Sequence, residues 1–172
     1  MMPYKASMDR LTKTLTILVP LLLLPTFFIP FFKTNTVEFA DVFHPNPTIV
    51  MPFGIILILI ITYGFSPKGY AIEDKQLMIH RPFHRKFYST SDMLKVSLVN
   101  KNEMPRSMRV FGVGGLFGYF GLFRNSRYGT MVWYATRRDH FVVIERNNGR
   151  AIVLTPDDPN SFVSELNAHI NQ

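Results

Sequence analysis

The 172-residue sequence contains no cysteine and a single tryptophan. Without cysteine there are no disulfides and no thiol chemistry, and a zinc site would lack its softest ligand. Acidic residues are scarce too, twelve against nineteen lysines and arginines, for a formal net charge of +7. In two stretches charge is missing altogether. "TLTILVPLLLLPTFFIPFF", from Thr14 to Phe32, runs nineteen residues uncharged, and "IVMPFGIILILIITYGF", from Ile49 to Phe65, runs seventeen. Because neither holds an ionisable side chain, no ion or proton pathway is indicated, which argues against a transporter. The basic balance would suit nucleic acid, but the chain shows no basic amphipathic helix and no zinc-finger spacing, so nucleic acid is not an expected partner.

A helix needs about 20 apolar residues to cross a bilayer. Both runs come close to that length, and "IILILII" has no polar face at helical period, so two membrane spans are expected at about 14–32 and 49–65. Pro20, Pro25 and Pro30 are expected to kink the first or end it early. Lys5, Arg10 and Lys13 precede the hairpin, and Lys68, Lys75, Arg81, Arg85 and Lys86 follow it. The connector from Lys33 to Thr48 carries Lys33 as its one cation. The positive-inside rule then places both termini in the cytoplasm of a multi-pass inner-membrane protein. Residues 1–65 form this N-terminal unit. Residues 66–172, with fifteen Lys and Arg against nine Asp and Glu, form a basic domain suited to anionic headgroups.

The second unit reads mostly as strands. "GYAIED" and "QLMIHRP" flank Asp74-Lys75 like a hairpin, "RKFYSTSDMLKVSLV" is a strand region broken near Ser91-Asp92, and "TMVWYAT" is β-branched and aromatic. "HFVVIER" and "RAIVLTP" flank Asn147-Asn148-Gly149, where Asn-Gly supplies the positive φ of a tight turn. In "DDPNSFVSELNAHI", Asp158 is placed to cap and Pro159 to start a helix. Phe162, Val163, Leu166 and Ile170 share its apolar face.

Four stretches in this order, "FSPKGYAIEDKQLMIHRP", "RVFGVGGLFGYFG", "WYATRRD" and "IVLTPDDPNSFVSEL", resemble the membrane-anchored bacterial PH (pleckstrin homology) domain family across roughly residues 63–170. The resemblance implies an α+β membrane protein: a two-helix transmembrane hairpin, then a PH-like β-barrel of about seven strands with one C-terminal capping helix. It further implies a non-enzymatic module for protein or lipid-surface binding and assembly at the cytoplasmic face, without a cofactor or metal. The resemblance supplies no ligand; the basic charge points to anionic membrane lipids as partners, and a membrane protein or further copies of the chain are the other expected ones. Eukaryotic PH domains that bind phosphoinositides place several Lys and Arg in a long loop after the first strand. Here that loop is reduced to Asp74-Lys75.

The stretch from Arg109 to Asn125 carries the candidate site. Fourteen uncharged residues separate Arg109 from Arg124, five of them glycine. A phosphate loop would need a Lys after the glycines, and a dinucleotide fingerprint would need glycine where Phe117 stands. Fourteen residues are also short of a membrane pass. Two readings remain: a plain barrel segment in which glycines mark bends, or an apolar loop resting on a lipid surface, the hairpin or a partner. The second names Phe111, Leu116, Phe117, Tyr119, Phe120 and Phe123 as contacts, with Arg109, Arg124 and Arg127 flanking them; Arg137 and Arg138 are a further pair suited to phosphate. Trp133 reads as core. The alternative function is a membrane-bound enzyme acting on a lipid or envelope substrate, with His80, His84 and Asp92 as its loose candidates. Pro82 between the two histidines speaks against a shared metal.

Overall fold

A computed structural model describes residues 4–33 and 47–170. Strand β1 (Tyr4–Lys5) leads into helix α1 (Arg10–Lys33), followed by helix α2 (Pro47–Phe65). Asp9 starts α1 by accepting the Thr12 amide on Oδ1 at 2.7 Å, which satisfies one of the free donors of the first turn. The helix continues through Pro20 and Pro25, where a break was expected. Strands β2 (Gly69–Glu73), β3 (Gln76–His80) and β4 (Lys86–Ser89) complete a four-stranded sheet in the order β1-β2-β3-β4. Asp74 and Lys75 both adopt positive φ, the conformation a two-residue hairpin turn requires.

A short 3-10 turn, Thr90–Asp92, interrupts the strand region where a break was expected. The second sheet contains β5 (Met93–Val99), β6 (Met108–Gly114), β7 (Tyr119–Asn125), β8 (Gly129–Ala135), β9 (Phe141–Arg146) and β10 (Ile152–Leu154). Its order is β5-β9-β10-β8-β7-β6, with β10 parallel to β8. Helix α3 (Pro159–Ile170) closes the chain; its Asp158 cap takes the Ser161 amide at 3.1 Å, and Phe162 and Leu166 are fully buried. Among the described residues there are ten strands, not about seven. The extra ones come from the N-terminal lead-in and from the glycine-rich stretch, neither of which shows strand periodicity.

The larger core lies between the two sheets and α3, where Tyr70, Leu77 and Ile79 meet Ile144, Leu154, Phe162 and Leu166. Tyr70 is its polar keystone. The hydroxyl donates to the Tyr134 carbonyl and accepts the Thr155 amide at 3.3 Å, while burial pushes its pKa up to about 12. A second cluster lies on the opposite face of the six-stranded sheet, with Trp133 stacked on Phe123 at 4.5 Å and tilted against Phe141. The N-terminal segment straps the fold: Tyr4 donates to Glu165 on α3, and Ser7 donates to Asp157 through its amide and hydroxyl at 2.9 and 2.6 Å.

Both apolar runs are helical, but the expected transmembrane hairpin is not supported. Among the described residues no helix is long and apolar enough to cross a membrane. The physical reason lies at the end of each helix that meets the sheets, the first turns of α1 and the last turn of α2. Thr12 of α1 is fully buried, and its neighbour Thr16 accepts the Phe117 amide at 2.9 Å. On α2, Thr62 is buried, and the Gly64 carbonyl accepts the Phe83 amide at 3.1 Å. These turns therefore pack against the β-domain. The nineteen residues of α2 rise about 28 Å in all, already short of a hydrocarbon core of about 30 Å. The multi-pass inner-membrane localisation with cytoplasmic termini falls with the hairpin. The connector segment 34–46, with His44, lies outside the described residues.

Replacing Tyr70 with Phe should leave the Tyr134 carbonyl and the Thr155 amide without their partner in a dry core. Urea unfolding is expected to show a loss of about 1–3 kcal/mol. An unchanged transition midpoint would remove Tyr70 from its keystone role.

Candidate functional site

The glycine-rich stretch is a β-hairpin. Strands β6 and β7 pair in antiparallel fashion, and their turn closes with the Gly115 amide donating to the Gly118 carbonyl at 2.8 Å. Gly112 and Gly121 face each other across the pair with φ of 109° and 119°. A Cβ at Gly121 would lie 2.4 Å from the Phe111 carbonyl oxygen, and one at Gly112 would lie 2.3 Å from that of Phe120. No side chain fits such an approach, so the two backbones can bend together there only as glycines. With Gly115 and Gly118 also at positive φ in the turn, the three-residue glycine spacing marks two bends and a tip.

The hairpin tip is held by the helices. Phe117 adopts φ of 58°, donates its amide to Thr16, and sets its ring edge-on to Tyr63 at 5.5 Å. The β3–β4 turn docks on the end of α2 in the same manner. Phe83 packs on Phe65 at 6.0 Å and sits so close to Gly64 that a Cβ there would come within 2.2 Å of its ring. Between these docked turns lies an apolar groove of about 480 Å³, walled by Phe65 of α2, Phe111 and Phe120 of the hairpin, and Val132 and Tyr134 of β8. Arg81 is the one charged residue in its lining. Its guanidinium lies 5.6 Å from the Phe65 ring centre and 5.5 Å from that of Tyr134, and donates to His84 Nε2. The turn beyond it adds Arg85 and Lys86 and holds no carboxylate. Lys68 lies 4.6 Å over the Tyr63 ring, and burial lowers its pKa from the ordinary lysine value.

A second concavity, also of about 480 Å³, opens beside the β5–β6 connection. Lys101, Arg106, Arg109 and Arg138 line it around Phe123 and Trp133. Successive residues of a strand point to opposite faces, so Trp133 serves this cleft while Val132 and Tyr134 serve the groove.

The model of one protein family matches this chain: the bacterial PH domain, over residues 68–170. The chain belongs to the bacterial PH domain family. No curated protein and no solved structure matches it. For this PH domain, membership points to a non-catalytic binding module, and it leaves the ligand open.

Within the PH domain the sequence-derived site residues scatter. Tyr119, Phe120 and Phe123 are buried, whereas Phe111 is 75% exposed. Leu116 and Phe117 are half-buried at the hairpin tip. Arg109, Phe123 and Arg138 come together in the cationic cleft, and Phe111 and Phe120 in the apolar groove. Arg124 is exposed on β7, and Arg127 stacks over Tyr128 at 5.1 Å. Arg137 is drawn into the fold, donating to the Pro156 carbonyl at 2.6 Å and pairing with Asp139 at 3.1 Å. Sequence reasoning passed over the aromatic and basic turn from Arg81 to Phe87, which it had counted as charge but not as a surface. The alternation of Phe83 and Phe87 with Arg81, Arg85 and Lys86 was the available signal.

Among the described residues His80, His84 and Asp92 form no group that could hold a metal ion. Asp92 accepts the Asn148 amide at 3.0 Å and receives the Arg146 guanidinium, and these contacts hold its pKa below the ordinary carboxylate value. The bond closes the β9–β10 connection onto the start of β5. Stability from a depressed carboxylate is present above its unfolded pKa and is lost as pH falls through the folded one. Asp92→Asn should therefore lower the thermal midpoint at neutral pH, and the gap from wild type should close in acid below the usual carboxylate range. A gap independent of pH would show that the charge of Asp92 is not what matters.

Proposed function

We propose that this bacterial PH domain is a non-catalytic module that docks from one side on an anionic lipid surface, led by the outer face of the helix pair and the β3–β4 turn. The observation that carries this reading is the coincidence of exposed apolar surface with unneutralised positive charge. Leu21, Leu22, Leu57 and Ile58 on the two helices are each more than half exposed, as is Phe83 in the turn. An apolar surface of this extent marks an interaction site. Arg10 and Lys13 stand at the end of α1 that meets the sheets, and Lys68, Arg81, Arg85 and Lys86 stand around that end of α2. A collar of cations beneath an apolar face matches the order of headgroups and acyl chains. Each Lys or Arg near such a surface contributes about 1 kcal/mol of attraction that salt screens. The groove beside Arg81 offers space for part of one acyl chain, with a guanidinium at hand for its headgroup.

The test is flotation of the full chain with vesicles of phosphatidylcholine alone or mixed with phosphatidylglycerol. Binding should require the anionic lipid and weaken as salt rises. The combined substitution Arg81→Gln, Arg85→Gln and Lys86→Gln should reduce it about a hundredfold. Phe83→Ser, which removes apolar surface without changing charge, should weaken it without altering the salt dependence. Equal binding to neutral vesicles, or a triple variant that binds like wild type, would overturn the reading. A discrete oligomer that ignores both vesicle types would assign the apolar face to self-assembly instead.

A further inference from the structure

We infer that the cleft between the β5–β6 connection and β8 is a site for a phosphate monoester, separate from the lipid-facing surface. Four exposed cations, Lys101, Arg106, Arg109 and Arg138, converge on this concavity, and no Asp or Glu lines it. Among the described residues none of the four enters an ion pair. Like charges held around a concave surface repel one another and concentrate a counter-ion, so the arrangement is favourable only when an anion enters.

The second observation is a donor without an acceptor. Trp133 lines the cleft and is only 4% exposed, and its indole Nε1 is buried with no hydrogen-bond partner. A buried N–H left unpaired is destabilising, and indole offers no acceptor by which to satisfy itself internally. The ring lines the cleft, and a ligand oxygen that enters beside it would pair this N–H once the packed indole shifts toward it. Arg138 is held over the Tyr119 ring at 4.4 Å, a contact that fixes its guanidinium at the cleft before any ligand arrives.

The ligand class follows from charge and shape. Three arginines present forked donors that match phosphate oxygens in pairs, and a monoester carries close to two negative charges for four cations to share. A single carboxylate would leave most of that charge unmet. The volume, about 480 Å³, suits a small phosphorylated molecule or one headgroup. A free monoester and the headgroup of a phosphomonoester lipid share this chemistry, and the test separates the two.

Trp133 is the single tryptophan of the chain, so its fluorescence reports on this site alone. The full chain is titrated at constant ionic strength with glycerol 3-phosphate, and in a parallel arm with phosphatidylcholine vesicles containing either phosphatidic acid or an equal charge of phosphatidylglycerol, a diester whose response is the baseline for surface docking. A saturable change with glycerol 3-phosphate assigns the site to free monoesters. A saturable change with phosphatidic acid vesicles above that baseline, and none with glycerol 3-phosphate, assigns it to the lipid headgroup. The soluble arm contains no lipid, so failure of the surface-docking reading leaves it unaffected. Arg109→Gln with Arg138→Gln should weaken the response about tenfold or more, and Lys101→Gln with Arg106→Gln, confined to the connection, should weaken it several-fold. No saturable response in the soluble arm and none above the baseline in the vesicle arm, the same response to chloride at equal ionic strength, or both variants responding like wild type would overturn the assignment.

Discussion

The arrangement depends on two backbone amides that donate into the ends of the helices. Phe117 gives its N–H to Thr16 on α1, and Phe83 gives its N–H to the Gly64 carbonyl on α2. A helix leaves its last carbonyls without partners, and a buried one left open is costly. The β3–β4 turn supplies that missing donor, and the β6–β7 tip is pinned in parallel to a threonine hydroxyl. Each bond ties a turn to a helix, and the apolar groove is walled by α2, β8 and the hairpin strands that lead to one of these turns. Gly64 is part of the same constraint, since any side chain there would strike the Phe83 ring.

Pleating then divides the chemistry. Tyr134 turns toward the larger core, where its carbonyl anchors Tyr70 and its ring meets Arg81, while Trp133 turns the other way, into the cationic cleft. Two adjacent residues of one strand thus serve two unlike surfaces, one apolar with a single guanidinium and one ringed by cations. The parallel pairing of β10 with β8 keeps this strand in the interior of the sheet. Its backbone is therefore paired along both edges, by β7 and by β10.

Much of the local structure was legible in the sequence. The Asp74-Lys75 turn, the break at Thr90–Asp92 and the capped C-terminal helix form where turn chemistry and periodicity placed them, and β9 and β10 pair as expected, though through a five-residue connection in which Gly149 and not Asn148 takes positive φ. Those signals act over a few residues and need no distant partner. The β6–β7 hairpin was obscure because its glycines serve a backbone contact between residues nine positions apart, which follows neither the strand nor the helix period. Strand β1 was obscure because two residues carry no pattern, and its strand character comes from pairing with β2 across sixty-odd intervening residues. Apolar composition placed the two helices correctly but overstated their reach, because it does not reveal that the first turns of α1 and the last turn of α2 are engaged by the β-domain.

By itself the sequence determined the helices, most of the strands, the positive charge and the membership of the bacterial PH domain family, since each is written in local pattern or in ordered motifs. Only the tertiary structure decided which arginines stand together. Arg109 and Arg138 meet in one cleft, Arg137 is consumed by Pro156 and Asp139, and Arg81 enters a groove with Tyr134. The sequence shows these residues only as charges along a line. Their function follows from the pleat of β8 and from the two pinned loops, which set each charge against an aromatic ring, a carbonyl or open space.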